Sequence, residues 1–348
     1  MIDGHGDDLY AYDGLVRHNF SSNILSGVNH EALARHIAGC VRGIAGYPEP
    51  VPLSLERMLS ERLGISPSNV MVTGGATEAI YLIAHACACR DSIVVAPTFS
   101  EYEDACTLYN HNVRFVDWDS LASWNSGETV VPSAVKESAV VWLCNPNNPT
   151  GKVLDVDKLR HMILSVPDSL FVIDQAYADY TTEAVLSADE AVRMGNVLLL
   201  GSFTKRYSVP GLRIGYAVGS DGIMEAVKAV RMPWSVSVPA IECGKYLLSH
   251  SDSYVIDCRG LHSEALRLAD ELRKIGLEVM DTDCNFMLAC LPAGTSHELK
   301  EWLIYRHGIL IRDASNFHGL TERHFRVAAQ TREENDLLIY AMKEWSIR

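Results

Sequence analysis

The stretch GSFTKRYSVPGLRIGYAVG, residues 201–219, joins two strand-like runs and places two cations between them. The apolar run VLLLGS (197–202) leads into it, Lys205 follows, and Arg213 opens the run RIGYAVG. Lysine side chains usually face solvent. A lysine just beyond a buried strand is instead desolvated, which keeps part of it neutral and makes it a nucleophile toward carbonyl groups. The stretch therefore predicts a lysine that carries a cofactor, with Ser202 and Arg213 holding the cofactor's phosphate.

Strand-like and helical patterns alternate around this stretch. From about residue 69 to 245, seven short apolar runs lack in/out alternation, which predicts a mostly parallel sheet covered on both faces. These runs are NVMVTG, SIVVAP, VRFVDW, AVVWLC, LFVIDQ, VLLLGS and RIGYAVG. After residue 245, long helical patterns flank a few strand-like runs, which is typical of a smaller α+β unit. We predict an α/β protein with a three-layer α/β/α large domain at 47–245 and a small α+β domain made of 1–46 and 246–348, since chain ends often lie together.

Composition argues against several classes of function. The chain has 348 residues, 48% of them hydrophobic, and a formal net charge of −14 without a basic cluster, so no nucleic-acid partner is expected. The nine cysteines are scattered without zinc spacing and are expected to be reduced core residues, so no metal site is predicted. The polar opening MIDGHGDDLY does not resemble a signal peptide, and the apolar runs are too short for a bilayer. We expect a cytoplasmic protein without a membrane partner.

Several side chains are expected at one edge of the predicted sheet, where the strands end and where parallel sheets bind ligands. The turn Gly75-Ala76-Thr77 follows the first strand; it either holds a phosphate on its N–H groups or is a plain connection. Asp174 ends a buried strand, where its carboxylate needs a cofactor pyridinium or the N–H groups of a helix cap as partner. Phe99 is either a stacking ring or a core residue, and Asn148 either a ligand or a turn residue.

Together these motifs resemble those of fold type I enzymes that depend on pyridoxal 5′-phosphate (PLP), in the class I/II aminotransferase superfamily. The stretches GGATEAI, PTFSEY, NPNNPTG, DQAYADY, SFTKRYSVPGLRIGYAVG and HFRVA stand in the order found in that superfamily and cover nearly the whole chain. The resemblance implies a PLP-dependent enzyme. The intact Lys205, Asp174 and Arg326 disfavour the other interpretation, a non-catalytic PLP-binding module.

The resemblance also implies roles for single residues. Lys205 matches the lysine that carries the cofactor, and Asp174 matches the partner of the pyridine nitrogen. The expected catalytic residues are Lys205, Asp174 and Tyr177. Tyr177 and Asn148 match the partners of the cofactor's 3′-oxygen. Tyr47 matches a tyrosine that reaches the neighbouring subunit's cofactor, which implies a homodimer with a shared active site. The remaining expected cofactor-binding residues are the ring-stacking Phe99, a phosphate cup made of Ala76, Thr77, Ser202 and Arg213, and also Gly75 and Thr204.

Two branches of the superfamily are similar to this sequence. The stretches HGDDLY, NFSSNI, MPWSVSVPA, ILIRDASNFHGL and RVAAQTREEN look more like L-threonine-O-3-phosphate decarboxylases of cobalamin biosynthesis than histidinol-phosphate aminotransferases, although Asp7 and Ser237 depart from the decarboxylase pattern. The resemblance implies PLP-dependent decarboxylation of L-threonine O-3-phosphate to (R)-1-amino-2-propanol O-2-phosphate. The alternative is an aminotransferase that acts on histidinol phosphate or another amino acid with 2-oxoglutarate.

A small phosphorylated amino-acid substrate needs its own cations. Arg326, in HFRVA, matches the arginine that binds the substrate's anionic group, and Asn23 and Asn148 are expected beside the substrate. Further candidates for the substrate phosphate have simple surface charge as their other interpretation. They are His5, Arg17 and Arg312, with Arg323 and Arg332 ranking behind them.

Overall fold

A computed structural model describes residues 8–12, 14–122 and 138–347 of the chain. The strands in these residues are β1 (His18–Asn19), β2 (Val70–Thr73), β3 (Asp91–Ala96), β4 (Asn112–Asp117), β5 (Val140–Cys144), β6 (Leu170–Asp174), β7 (Val197–Ser202), β8 (Gly215–Gly219), β9 (Glu278–Val279), β10 (Phe286–Cys290), β11 (Ile309–Leu310), β12 (Arg312–Asp313) and β13 (His324–Ala328). The helices are α1 (Glu31–Cys40), α2 (Leu53–Leu63), α3 (Ala76–Ala86), α4 (Glu101–Leu108), α5 (Trp118–Ala122), α6 (Val156–Ser165), α7 (Ala188–Met194), α8 (Phe203–Arg206), α9 (Asp221–Ala229), α10 (Val238–Ser249), α11 (Cys258–Lys274), α12 (Ser296–His307) and α13 (Arg332–Ser346). None of the helices in these ranges is long and apolar enough to cross a membrane.

All seven runs that the sequence pattern predicts as strands form one large sheet, in the order β2-β8-β7-β6-β5-β3-β4. The pairs from β4 to β7 are parallel, whereas β8 is antiparallel to both of its neighbours. Side chains of these strands enter two separate cores: Phe171 and Ile173 of β6 enter one, and Val172 enters the other. Helices α2, α6, α7 and α10 cover the first face, and α3, α4 and α9 cover the second. The predicted three-layer α/β architecture is confirmed.

A smaller antiparallel sheet follows in the C-terminal part, in the order β12-β13-β10-β9. Its core contains apolar side chains of α11, α12 and α13 together with Phe20 of the N-terminal segment. Strand β1 pairs in parallel with β11 and so attaches that segment to the C-terminal part. Leu33 of α1, by contrast, belongs to a core of the large sheet. The division into domains at 46/47 and 245/246 stays a prediction.

The direction of the strands determines where chemistry is possible. Because β3, β5, β6 and β7 run in parallel, the residues that follow them meet at one edge of the sheet. Strand β8 runs the opposite way, so Arg213, which precedes it, comes to the same edge.

Candidate active site

A cavity of about 250 Å³ lies at the carboxyl edge of the large sheet. Its wall combines residues that follow the strands with the N-terminal segment and one residue of β13. Most residues predicted from the sequence are among its lining residues, which are Ser21, Ser22, Ile24, Ala76, Thr77, Phe99, Tyr102, Cys144, Asn148, Asp174, Ala176, Tyr177, Ser202, Thr204, Lys205, Pro210, Arg213 and Arg326.

Lys205 lies in the single turn of α8 that follows β7, and its side chain is only partly exposed. Its Nζ donates to the main-chain oxygen of Ser22 at 2.6 Å and lies 5.5 Å from the centre of the Tyr177 ring. The Tyr180 hydroxyl donates to the main-chain oxygen of Lys205 at 2.7 Å. These contacts hold the lysine at the cavity wall, where an amine can meet a bound carbonyl group.

Asp174 ends β6 and is 5% exposed. One carboxylate oxygen accepts from the Tyr102 hydroxyl at 2.8 Å, and the other accepts from the Ala176 N–H at 2.9 Å. Burial raises the pKa of Asp174 above its usual value, although both hydrogen bonds and the charge of Lys205 act in the opposite direction. A carboxylate in this position gains from a cationic partner inside the cavity.

The first turn of α3 offers main-chain donors to an anion. Gly75 precedes the helix with φ +99°, a region that favours glycine, and no side chain caps the first turn. A Cβ on Gly75 would lie 2.7 Å from a guanidinium nitrogen of Arg213. Helix N-termini favour negative charge, and here an arginine stands beside one, so the predicted phosphate cup is chemically suited to a phosphate.

Tyr177 and Asn148 both line the cavity, and both interact with Arg326, which lines it as well. Burial raises the pKa of the Tyr177 hydroxyl above its usual range, while the positive charge of Arg326 lowers it. The amide oxygen of Asn148 accepts from Arg326. Phe99 packs edge-on against Tyr102, with ring centres 5.8 Å apart. A hydroxyl, an amide and a flat ring therefore converge on one space.

Two arginines form an unusual buried pair next to this space. Arg312 of β12 lies directly opposite Arg326 of β13, and directly paired residues of an antiparallel sheet share a face. They are 7% and 3% exposed, and the hydrogen-bond acceptors found for them are neutral oxygens of Asn316, Asn148 and Ser21. Burial and the neighbouring charge of Arg326 lower the pKa of Arg312 to about 10, although the charges of Asp313 and Asp8 act in the opposite direction. The Nε atoms of both lack a hydrogen-bond partner within the described residues. Such a pair favours a bound anion.

Other predicted residues lie outside the lining of the cavity. Arg312 is paired in the sheet with the cavity residue Arg326, and Asn23 is fully buried next to Tyr177, whose pKa it helps to lower. Tyr47 is 88% exposed. His5 lies outside the described residues. Three arginines are exposed and bind main-chain oxygen or a carboxylate elsewhere: Arg17, Arg323 and Arg332.

The structure adds cavity residues that the sequence reasoning missed. Tyr102 binds Asp174, yet in the sequence it is one more apolar position of a short helix. Cys144 ends β5 and lies next to Asp174; the rule about strand ends would have found it. Ser21 and Ser22 offer main-chain oxygens to Arg326 and Lys205. No local pattern marks those two residues.

A three-layer α/β fold with a lysine, a buried aspartate and an open helix N-terminus at one sheet edge defines an enzyme that holds a phosphorylated aldehyde cofactor. The aminotransferase class I and II family matches residues 18–342, and the chain belongs to this family. The family depends on PLP, and so does this enzyme, as a lyase or an aminotransferase.

Relatives of both activities are similar to the chain. A provisionally named threonine-phosphate decarboxylase of Caldanaerobacter subterraneus is 30% identical over 86% of this chain and 83% of its own length. Histidinol-phosphate aminotransferase 2 of Archaeoglobus fulgidus is 32% identical over 94% of this chain and 92% of its own. The crystal structure of L-threonine-O-3-phosphate decarboxylase from Porphyromonas gingivalis has a TM-score of 0.89 and 34% identity, and covers 95% of this chain and 100% of that one.

The residues of the cavity fit PLP. The aldehyde carbon requires an amine, the pyridine nitrogen an acid partner, the phosphate a set of N–H donors and a cation, and the ring a flat neighbour. Lys205, Asp174, the first turn of α3 with Arg213, and Phe99 supply these groups at one cavity.

Proposed function

We propose that this enzyme decarboxylates L-threonine O-3-phosphate to (R)-1-amino-2-propanol O-2-phosphate, a reaction of cobalamin biosynthesis. The observation that carries the proposal is the buried pair Arg312 and Arg326, whose acceptors in the described residues are neutral. A phosphate dianion matches two guanidinium groups in charge and in hydrogen-bond geometry. The sequence stretches that look like the decarboxylases, ILIRDASNFHGL among them, support the same substrate.

PLP supplies an electron sink for a bond broken at the α-carbon of the substrate. In the proposed roles, Asp174 keeps the pyridine nitrogen protonated, and Tyr177 and Asn148 hold the ring oxygen. Arg326 binds the anionic end of the substrate, Arg312 supports it, and Asn148 and Asn23 border it. Loss of CO₂ leaves a proton to be added at the α-carbon, and the Nζ of Lys205 holds that proton.

Orientation decides which bond breaks. The substrate group that the arginine pair holds would set how the substrate lies in the cavity, and positioning of this kind contributes about 7–11 kcal/mol in favourable intramolecular cases. If Arg312 and Arg326 hold the phosphate, the carboxylate would be left without a cation to retain it, which favours decarboxylation. If the two arginines hold the carboxylate instead, that group would be retained and the Cα–H bond would break, which leads to transamination.

The second candidate is therefore an aminotransferase acting on histidinol phosphate or another amino acid with 2-oxoglutarate. The relative from Archaeoglobus fulgidus, which is 32% identical, favours it.

The test that separates the two functions supplies threonine phosphate to the holoenzyme without a keto acid. We expect CO₂ and the amino-propanol phosphate in equal amounts. Product that forms only when 2-oxoglutarate is present would instead identify the aminotransferase.

We also infer a homodimer in which Tyr47 reaches the partner's cofactor phosphate. The ring of Tyr47 is exposed and packs against Trp234, which is 49% exposed, with ring centres 5.6 Å apart. Ile44 and Met232, close to them in sequence, are 64% and 69% exposed. Large apolar side chains grouped on a surface support an interface.

A cytoplasmic location is part of the proposal, supported by cysteines that are all free thiols.

A further inference from the structure

Helices α1 and α10 bring together three metal-ligating side chains outside the active-site cavity. Among the described residues, His36, Cys40 and Glu242 are the one group of this kind whose ligand atoms all lie within 4.8 Å of one another. None of the three lines the cavity. We propose that they form a zinc-binding site that joins α1 to α10, independently of the proposed reaction. The sequence pattern predicts no metal site. It does not reveal this one because Glu242 is far along the chain from His36 and Cys40.

Helix geometry places the first two ligands. His36 and Cys40 are four residues apart on α1, so they lie on one face, one turn from each other. Glu242 lies on α10, which packs against that face: the Nε2 atom of His36 is hydrogen-bonded to the main-chain oxygen of Glu242 at 3.3 Å, a bond that a zinc ion on Nε2 would replace. Two regular helices thus fix all three ligands, and no loop has to rearrange to assemble the site.

The separation between the Cys40 and His36 ligand atoms agrees with tetrahedral coordination. Zinc bonds of about 2.3 Å to sulfur and about 2.05 Å to nitrogen, at the tetrahedral angle, give a separation of about 3.6 Å between the two ligand atoms. The Sγ of Cys40 and the Nε2 of His36 are 3.6 Å apart. The same separation also suits a weak thiol–imidazole hydrogen bond, so the experiment must distinguish the two.

The ligand types select zinc. A thiolate does not suit Mg²⁺ or Ca²⁺, which prefer oxygen ligands, whereas thiolate, imidazole and carboxylate together suit Zn²⁺. All three residues are half-buried, so water can reach the fourth coordination position. The thiolate and the carboxylate together balance the charge of the ion.

Neighbouring side chains contact two of the ligands, and one of these neighbours carries a positive charge that weakens metal binding. The His36 ring packs against the Tyr246 ring with centres 4.7 Å apart, which restricts its rotation. One oxygen of Glu242 accepts from the Nζ of Lys245 at 2.7 Å, and the other oxygen is left for a cation. The ammonium of Lys245 repels a divalent ion at this distance. Its removal should therefore tighten binding, a consequence that a simple hydrogen-bonded cluster does not share.

The test uses the holoenzyme, stripped with a chelator, reloaded with one equivalent of ZnCl₂ and dialysed. We expect one zinc per chain by elemental analysis, and X-ray absorption at the zinc edge should show one sulfur at about 2.3 Å with lighter atoms at about 2.0–2.1 Å. Cys40→Ser should lose the sulfur signal and most of the zinc. Cys89→Ser, which changes an exposed free thiol, is the matched control and should retain both.

Calorimetric titration of Zn²⁺ adds a test that does not depend on losing a ligand. Lys245→Ala should bind Zn²⁺ several-fold more tightly than wild type, and Glu242→Gln at least tenfold more weakly. PLP content and turnover should stay unchanged in both variants, which separates a failure here from a failure of the proposed reaction. Zinc below half an equivalent, or equal zinc and sulfur signals in wild type and Cys40→Ser, would overturn the proposal.

Discussion

At the scale of single residues, burial of the Asp174 carboxylate is expected to lower the stability of the cofactor-free protein. Its carboxylate is almost fully buried and has two hydrogen-bond donors, yet burial still raises its pKa. A carboxyl group whose pKa is higher in the folded than in the unfolded chain destabilises the fold as the pH rises through the folded value. In the proposed role of Asp174, a protonated pyridine nitrogen would offset this effect, so cofactor-free and cofactor-bound proteins should respond differently to loss of the charge.

Replacement of Asp174 by Asn tests whether the carboxylate lowers the stability of the cofactor-free protein and raises its affinity for PLP. Without PLP, Asp174→Asn should unfold at a higher urea concentration than wild type at pH 7, and the difference should vanish in acid, where Asp174 is neutral. PLP affinity should fall at least about 100-fold because a charged partner of the nitrogen is lost. Urea titrations at several pH values and PLP absorbance measure the two effects. Unchanged PLP affinity would contradict the role of Asp174; Asp168→Asn, at an exposed carboxylate, is the control.

Lys205 is the proposed point of covalent attachment. Lys205→Ala should lower turnover at least about 1000-fold, since both the nucleophile and the proton donor are removed. After borohydride reduction, peptide mass mapping should find the cofactor's mass on Lys205 in wild type and nowhere in the variant. Lys228→Arg, at a partly buried lysine bonded to Ser68, should behave like wild type. A label on another lysine in wild type would refute the assignment.

The same residues show which parts of the candidate site can be predicted from the sequence. Lys205 and Asp174 are predictable because strand ends converge and because charges beside buried strands need partners. Tyr102 is not, since its hydroxyl meets an Asp174 oxygen 72 residues away, and only the three-dimensional arrangement brings them together. The contacts of Ser21 and Ser22 use main-chain oxygens, which no residue type reveals.

At the scale of elements, the close approach of β8 to the start of α3 shapes the proposed phosphate cup. A Cβ on Gly215 would lie 2.3 Å from the main-chain nitrogen of Ala76, so any side chain there forces the strand and the helix apart. The N–H groups of the first helical turn would then move relative to Arg213.

Gly215→Ala should therefore weaken PLP binding at least about tenfold, because donor geometry at a phosphate sets the affinity. Fluorescence titration of the cofactor-free protein with PLP measures it. Gly222→Ala is the matched control, since a Cβ there meets nothing within 4 Å and its φ is not positive. Equal affinities in the two variants would show that the contact between β8 and α3 does not shape the site.

The pairing of β12 with β13 makes a second prediction. Arg312→Gln should raise KM for the phosphorylated substrate about 10- to 100-fold, the range expected for a charge-assisted hydrogen bond. Turnover of unphosphorylated threonine should change much less. The ligand-free variant should also melt at a higher temperature, because a buried cation beside Arg326 is gone. Arg323→Gln, at an exposed position, should change neither property, and an equal loss on both substrates would remove Arg312 from phosphate binding.

The elements themselves were largely predictable, whereas their arrangement was not. All seven apolar runs are strands because burial on both faces leaves a distinct sequence pattern. The run RIGYAVG looks like the others, yet β8 is antiparallel to β7, since the connection between them holds only short turns and no crossover helix. Strand order depends on contacts between distant residues, which a single sequence does not display.

At the scale of the whole molecule, the exposed Tyr47 is the feature that a single chain does not explain. It lies outside the cavity of its own chain, yet its sequence context resembles that of a residue at the cofactor phosphate. In the proposed twofold dimer, each chain would give Lys205 to one site and Tyr47 to the other. Such sharing has a consequence that no monomer can reproduce.

Two variants with low activity should regain activity when their subunits are exchanged. Lys205→Ala lacks the nucleophile, and Tyr47→Ala should bind PLP poorly at limiting cofactor. Mixed dimers of the two have one site with both defects and one with neither. Random exchange of equal amounts makes half of the dimers mixed, so activity should recover to about a quarter of the wild-type value. Turnover before and after subunit exchange in mild denaturant measures this recovery, with each variant exchanged against itself as the control. Activity no greater than the mean of the two parents would mean that each chain completes its own site.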